Sequence, residues 1–295
     1  TLLGMVEGLF DIDPQNTDWD LCAGISAGSL IAAMVSQVPV GDPEAFVANV
    51  EHFKTILLNP HFHPLKPWHS NTWINALSTL LWHGSFYRNG VEVLVRDYLH
   101  EPKREFRAGA FNMTTSEYQM FRSLEGVPAS CAVPLAFPVV TINGQRFTDG
   151  SLAYWIPVQE IKEFVRAHEG RKIIDLLLCY PMDHDGFIAT GATTKGKQLV
   201  CNGLETLNQR NWLTFQQNCE ELKEFLGIDV KPGVHIKDNL TIRIFAPRKH
   251  RYSDFTHMDC ASAQELIEEG KAAVARMQEG ASSGTENKEQ IASCM

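Results

Sequence analysis

A chain of 295 residues with 44% hydrophobic and 21% charged residues has the make-up of a folded protein with a substantial core, and one domain is expected. The formal net charge of -9 and pI near 5.7 exclude extended nucleic-acid binding, which needs a strong basic field against phosphate. Seven cysteines without CxxC pairs argue for reduced thiols rather than a disulfide framework or a zinc knuckle, and no apolar run approaches the roughly 20 residues that span a bilayer.

The half-apolar segment from Asp18 to Ala23 leads into GISAGSLIAAMVSQV, which reads as a strand, a tight turn and a helix stopped near Pro39. A helix is expected over Pro43 to Leu58, an irregular Pro/His/Trp-rich stretch over Asn59 to His69, and a further helix around Thr72 to Leu81. Strands are expected at Glu105 to Thr114 and at Pro138 to Ile142, the second joined through Asn143-Gly144 to Gln145 to Thr148. Asn-Gly between extended runs signals a hairpin, because both residues tolerate positive φ.

Val158, Ile161, Phe164 and Val165 fall on one helical face, ended by Gly170. The continuous apolar run Ile173 to Tyr180 predicts a strand buried on both faces. A long helix is expected over Gly203 to Leu226, a strand over Thr241 to Phe245 and a helix over Ser262 to Met277. This alternation predicts a three-layer α/β/α sandwich with a largely parallel central sheet. Residues 1–280 would form that domain, and 281–295, which lose periodicity, a disordered tail.

Gly24-Ile25-Ser26-Ala27-Gly28 is a GxSxG match placed where a strand passes into a helix, the context in which this motif marks a nucleophile elbow. Ser26 would sit in a strained turn, with small neighbours Ala23, Gly24, Ala27 and Gly28 where helix presses on strand. The Ala27 N–H and the helix dipole would then face a developing oxyanion. A plain packing turn and an anion-binding turn are the competing readings, although the GK[ST] ending of a phosphate loop is absent. A second constellation is Phe147-Thr148-Asp149-Gly150, where Asp and Gly also suit an ordinary turn.

Together, GISAG, the segment ASCAVPLAFP at 129–138 and the downstream Asp149-Gly150 resemble the patatin-like phospholipase family in order and separation. The similarity continues through TIRIFAP at 241–247 and the helix after Ala261. The resemblance implies a patatin-like fold and a Ser26–Asp149 dyad that cleaves carboxylic esters of lipids through an acyl-enzyme. Gly24, Ala27 and Gly28 would form the elbow and oxyanion side, and Gly150 would support the dyad loop; neither a metal nor a cofactor is implied. Burial could raise Asp149 above the ordinary carboxylate range, and one carboxylate can serve both half-reactions. The implied partners are a lipid substrate and a transient membrane or micelle surface. The implied location is cytoplasmic or peripheral at membranes, with a removed segment before Thr1 compatible with the first residue.

Two departures from the family pattern stand out. Its Gly-rich oxyanion loop is expected a few residues before Thr1, since LLGMVEGL at 2–9 resembles the helix that follows that loop. Tyr154-Trp155-Ile156-Pro157 stands where the pattern often has Asn residues before Pro. The alternatives are a catalytically inactive lipid-binding protein, and a Ser-His-Asp triad with His250 or His257 as the base.

His61 and His63 are candidate metal ligands, more simply explained by a Pro-rich loop. Trp73, Ile74, Leu77, Leu80 and Leu81 fall at helical spacing near Trp68, Trp82 and Phe86. Core packing is the expectation for that stripe, and an acyl-chain wall or lid is the functional alternative. Arg248, Lys249, His250 and Arg251 form a basic run that suits a solvated loop or a lipid head group.

Overall fold

The computed structural model describes residues 1–59, 68–85, 87–134, 136–183, 198–248 and 260–283. Two compact units emerge: residues 19–160 form one, and residues 1–18 together with the chain from 161 onward form the other.

The 19–160 unit opens with β1 (Leu21–Ile25) and α2 (Ala27–Ser36), following helix α1 (Leu2–Ile12) of the other unit. Helix α3 (Pro43–Leu57) starts where Asp42 accepts the Ala45 N–H and Pro43 occupies the first turn, whose N–H would have no helical partner. Helix α4 (Thr72–Ser78) runs into a π-helical turn (Thr79–His83) that Gly84 ends in the left-handed region. There follow α5 (Gly90–Tyr98), strands β2 (Glu105–Asn112) and β3 (Glu117–Phe121), the short helix α6 (Gly126–Ser130), and β4 (Val140–Ile142) and β5 (Gln145–Asp149). The Asn143-Gly144 hairpin forms as expected, both residues at positive φ (50° and 77°).

Strand β2 organises this unit. Its residues 105–109 pair in parallel with β1, its residues 110–112 pair antiparallel with β5, and β3 pairs antiparallel with 108–112. Because β3 occupies one edge of β2, β1 and β5 must follow one another along the other. Arg104, buried at the start of β2, donates to the carbonyls of Val38, Trp19 and Pro39 at 2.6–2.9 Å and so satisfies turn carbonyls that no strand could reach.

Helix α7 (Val158–Ala167) straddles the division between the units. Beyond it lie β6 (Lys172–Leu177), the long helix α8 (Gln198–Leu226), β7 (Gly233–Lys237), β8 (Leu240–Phe245) and α9 (Cys260–Ser283). The three strands take the order β6-β8-β7, parallel then antiparallel. The α/β alternation stands, with parallel pairing at β1–β2 and β6–β8 and antiparallel pairing at the other strand pairs.

The apolar run after Gly170 does form a strand, but β6 is half-buried where burial on both faces was expected. It lies at the edge of its sheet, and β8, in the centre, is buried at every position. Arg243 on β8 is tolerated there because Asp175, its register partner on β6, takes two hydrogen bonds from it at 2.5 and 2.6 Å, and Asp13 takes another. Helix α9 runs to Ser283, past the expected end at Met277, and residues 284–295 of the expected tail lie outside the described residues.

Helices α1 and α9 approach so closely that a Cβ on Gly4 would collide with the Ile267 backbone carbonyl, whereas one on Gly8 would stand 3.3 Å from Lys271 Cα. Gly4→Ala is therefore expected to cost about 1–3 kcal/mol through overpacking, and Gly8→Ala clearly less. Thermal melts followed by circular dichroism check this; equal melting temperatures for the two variants would contradict it.

Candidate active site

The elbow lies at the carboxyl end of β1. Ile25 pairs with Gly109 of β2, and Asp149, the last residue of β5, pairs with the next residue, Ala110. End-to-end docking of β1 and β5 on one edge of β2 thus brings the Ser26 turn and Asp149 to adjacent registers. Their sequence separation is bridged by strand pairing.

Ser26 has φ 54° and ψ -128°, a region that a residue with a Cβ adopts at a cost of about 1–3 kcal/mol. Hydrogen bonds to its backbone hold it there. Its N–H donates to Ser130 Oγ at 2.8 Å, and Ser130 Oγ donates onward to the Gly109 carbonyl at 2.6 Å. Its carbonyl accepts from Ser29 Oγ at 2.7 Å and from Cys131 Sγ at 3.1 Å. Ser29 and Ser130 are fully buried, so these polar groups act away from competing water. The Cys131 thiol is pushed up to about 12 by burial first and by the Asp149 charge second, which keeps it a neutral donor.

The small residues of the motif differ in role. A Cβ on Gly24 would strike the backbone of Gly28, so helix α2 rests on β1 at that glycine. A Cβ on Gly28 would meet nothing within 4 Å, so what this position contributes to the close approach is its backbone. Ala27 is exposed and Ser26 half-exposed, leaving the mouth of the elbow open. As the first two residues of α2, Ala27 and Gly28 present N–H groups that have no acceptor within the helix.

Asp149 is fully buried. Its Oδ1 accepts the Ser151 N–H at 2.8 Å, capping the 3-10 turn Gly150–Leu152, and its Oδ2 has no hydrogen-bond partner. Burial raises the carboxyl above its ordinary value; the Ser151 N–H, the Ser26 side chain and the Ser151 side chain act in the opposite direction. The Ser26 hydroxyl therefore lies near enough to favour the charged carboxylate. The Asp149 N–H and the Thr148 hydroxyl both donate to the Ala132 carbonyl, at 3.0 and 2.7 Å. Gly150 has no room for a side chain, since a Cβ would strike the Gly109 carbonyl.

The structure therefore gathers Ser26, Gly24, Ala27, Gly28, Asp149 and Gly150 beside the middle of β2, where β1 and β5 meet. Ser130, Cys131 and Ser29 are the residues that motif reading left without a role. Ser130 and Cys131 lie inside ASCAVPLAFP, and a Ser buried between two backbone groups has no signature beyond its place in that segment. His61, His63, His250, His257, Lys249 and Arg251 lie outside the described residues, while Arg248 is exposed and its N–H donates to Glu269 at 3.0 Å. The stripe expected to pack in the core does not: Trp73, Ile74, Leu77, Leu80, Leu81 and Trp82 are all exposed. Their helix buries its opposite, polar side, Asn75 and Ser78. Among the described residues, no helix is long and apolar enough to cross a membrane.

Ser130→Ala would strand the Ser26 N–H and the Gly109 carbonyl, at a cost of about 1–3 kcal/mol. Gly24→Ala should be at least as damaging, because backbone must move, whereas Gly28→Ala, in open space within a helix, should be neutral or stabilising by up to about 1 kcal/mol. Urea titrations followed by tryptophan fluorescence check the order; a Gly28→Ala loss as large as that of Gly24→Ala would contradict it.

The family described as patatin-like phospholipase matches residues 3–161, which include both Ser26 and Asp149. No curated protein matches the chain. Among solved structures, the crystal structure of VipD from Legionella pneumophila is similar at TM-score 0.38 and 11% identity; the match covers 94% of this chain and 64% of that one. With more than half of its length matched, the chain belongs to the patatin-like phospholipase family, a family of lipid acyl hydrolases with an α/β fold.

Proposed function

We propose that this protein hydrolyses carboxylic esters of phospholipids or other acyl lipids, with Ser26 as nucleophile and Asp149 as general base. The observation that carries this reading is the pairing of a strained, half-exposed Ser26 with a fully buried carboxylate whose Oδ2 is unpartnered and whose pKa is raised. A carboxyl raised by burial is a better proton acceptor than one in water, and the free Oδ2 is the lone pair available for the serine proton.

In this scheme Asp149 takes the hydroxyl proton as Ser26 Oγ attacks the ester carbonyl. The carbonyl oxygen becomes the oxyanion, towards which the Ala27 and Gly28 N–H groups and the N-terminus of α2 are the available donors. As the tetrahedral intermediate collapses, the ester C–O bond breaks and Asp149 returns the proton to the leaving alcohol. Asp149 then deprotonates water, which attacks the acyl-enzyme; the bond from the acyl carbon to Ser26 Oγ breaks, Asp149 returns the proton to Oγ, and the fatty acid leaves. The scheme draws on no cofactor. The substrate would come from a membrane or micelle surface, at which the protein acts transiently.

Ser26→Ala and Asp149→Asn are each expected to lower hydrolysis of a water-soluble ester by about 10²–10⁴-fold or more, with His250→Ala and His257→Ala near wild type. A large loss in either His variant with Asp149→Asn still active would replace the dyad with a triad. Full activity in Ser26→Ala would remove the serine mechanism altogether.

The raised Asp149 pKa has two consequences for pH. Because the base works ionised, the acid limb of kcat/KM should lie above the ordinary carboxylate range. For stability, the folded state holds the Asp149 proton more tightly than the unfolded chain. Wild-type stability from this group is therefore fully present below the unfolded pKa and lost as pH rises through the folded one. Asp149→Asn carries no charge and should gain on wild type as pH rises through that window; a gain that grows towards acid pH would contradict the sign.

A further inference from the structure

The helical stretch Thr72–His83 is inside out. Asn75 and Ser78 are buried, and each has work there: Asn75 Oδ1 accepts the His69 N–H at 3.2 Å, and Ser78 Oγ donates to the Asn75 carbonyl at 3.1 Å. The outward side carries Trp73 (86% exposed), Leu80 (82%) and Trp82 (77%), together with Ile74, Leu77 and Leu81. The π-helical turn winds more slowly than an α-helix, which keeps the three successive residues Leu80, Leu81 and Trp82 outward. Thr79 Oγ1, donating to the Ser85 carbonyl at 2.8 Å, and the Gly84 N–H, donating to the Thr79 carbonyl at 2.8 Å, lock that turn. An apolar face of this size turned to solvent, with the polar face turned inward, marks a binding surface.

Charge and side-chain type select the occupant. Residues 68–91 contain no Asp or Glu in a chain whose net charge is -9, while Arg88 lies over the Trp68 ring at 5.4 Å and His83 stacks on that ring at 4.3 Å. The patch is therefore apolar with a cationic flank. The face is a single short helical stretch, roughly 18 Å long, with two indoles among its exposed side chains. A lipid surface suits it, because each exposed Trp and Leu enters the acyl–headgroup boundary on its own and indole rings favour that depth.

We propose that Thr72–His83 is the element by which this protein docks on an anionic phospholipid surface, with Trp73, Leu80 and Trp82 inserted at the interface and Arg88 facing lipid phosphates. The proposal deepens the lipid-hydrolase reading and rests on it for the identity of the substrate, but docking is measured without catalysis.

The test is co-sedimentation of the full chain with vesicles of phosphatidylcholine and phosphatidylglycerol at 7:3, and with phosphatidylcholine alone. Wild type and Ser26→Ala should partition alike, and at least threefold more strongly to the anionic vesicles. A variant combining Trp73→Ala, Leu80→Ala and Trp82→Ala should lose tenfold or more in partition, with an unchanged circular dichroism spectrum. It should keep wild-type hydrolysis of a soluble ester while hydrolysis of vesicle lipid falls tenfold. Undiminished partition of that variant would overturn the proposal, as would equal partition to both vesicle types. So would sedimentation velocity showing a patch-dependent dimer that ignores vesicles. Patch-dependent binding without hydrolysis in wild type would leave the docking surface standing and remove the enzymatic reading instead.

Discussion

One side chain connects the parts of this site. The Ser130 hydroxyl accepts from the strained Ser26 N–H and donates to the Gly109 carbonyl, on the residue of β2 that sits opposite Ile25. A residue at φ 54° needs its surroundings to over-determine it, and a fully buried hydroxyl using both its donor and an acceptor lone pair is a specific way of doing so. The same segment continues into Cys131, which donates to the Ser26 carbonyl, and Ala132, whose carbonyl holds Thr148 and Asp149. Three consecutive residues therefore fix both ends of the proposed dyad. Small displacements between them would be resisted by buried hydrogen bonds as well as by strand pairing.

The polarity of that arrangement matters as much as its geometry. Asp149 is buried with one oxygen capped by Ser151 and the other left without a partner, a state that disfavours its charge. The fold tolerates this in the region where it also tolerates backbone strain. Co-location of a destabilised carboxylate, a strained serine and helix N–H groups without intrahelical acceptors is expected of a catalytic centre and is costly for a mere packing turn. The glycines express the same economy of space: Gly24 and Gly150 admit backbone where a Cβ would not fit, while Gly28 has room to spare.

Much of the fold was legible from periodicity, and the reasons for the exceptions are physical. The GxSxG elbow, the Asn143-Gly144 hairpin and the Pro43 helix start all depend on local backbone preferences that residue type reveals. Helix α5, strands β3 and β7 and the five-residue helix α6 are not legible in the sequence, because short elements take their shape from partners distant in sequence. Ile173 to Tyr180 looked like a central strand by composition, but only sheet order reveals that β6 is an edge. The stripe from Trp73 to Leu81 reads as core for a related reason: helical spacing identifies a face and says nothing of which way it turns. Asn75 and Ser78 on the opposite face hold the information, as buried polar residues with hydrogen-bond partners. For the site, Ser26 and Asp149 were readable as a motif and a resemblance, while the tie through Ser130 required knowing that β1 and β5 share one edge of β2.

The central claim is that the strained elbow makes Ser26 a nucleophile. The most direct measurement is reaction of the wild-type chain with a fluorophosphonate, followed by peptide mass spectrometry. The account predicts a single stoichiometric adduct on the peptide containing Ser26. A folded protein that remains unlabelled, or one labelled stoichiometrically at a different residue, would contradict it.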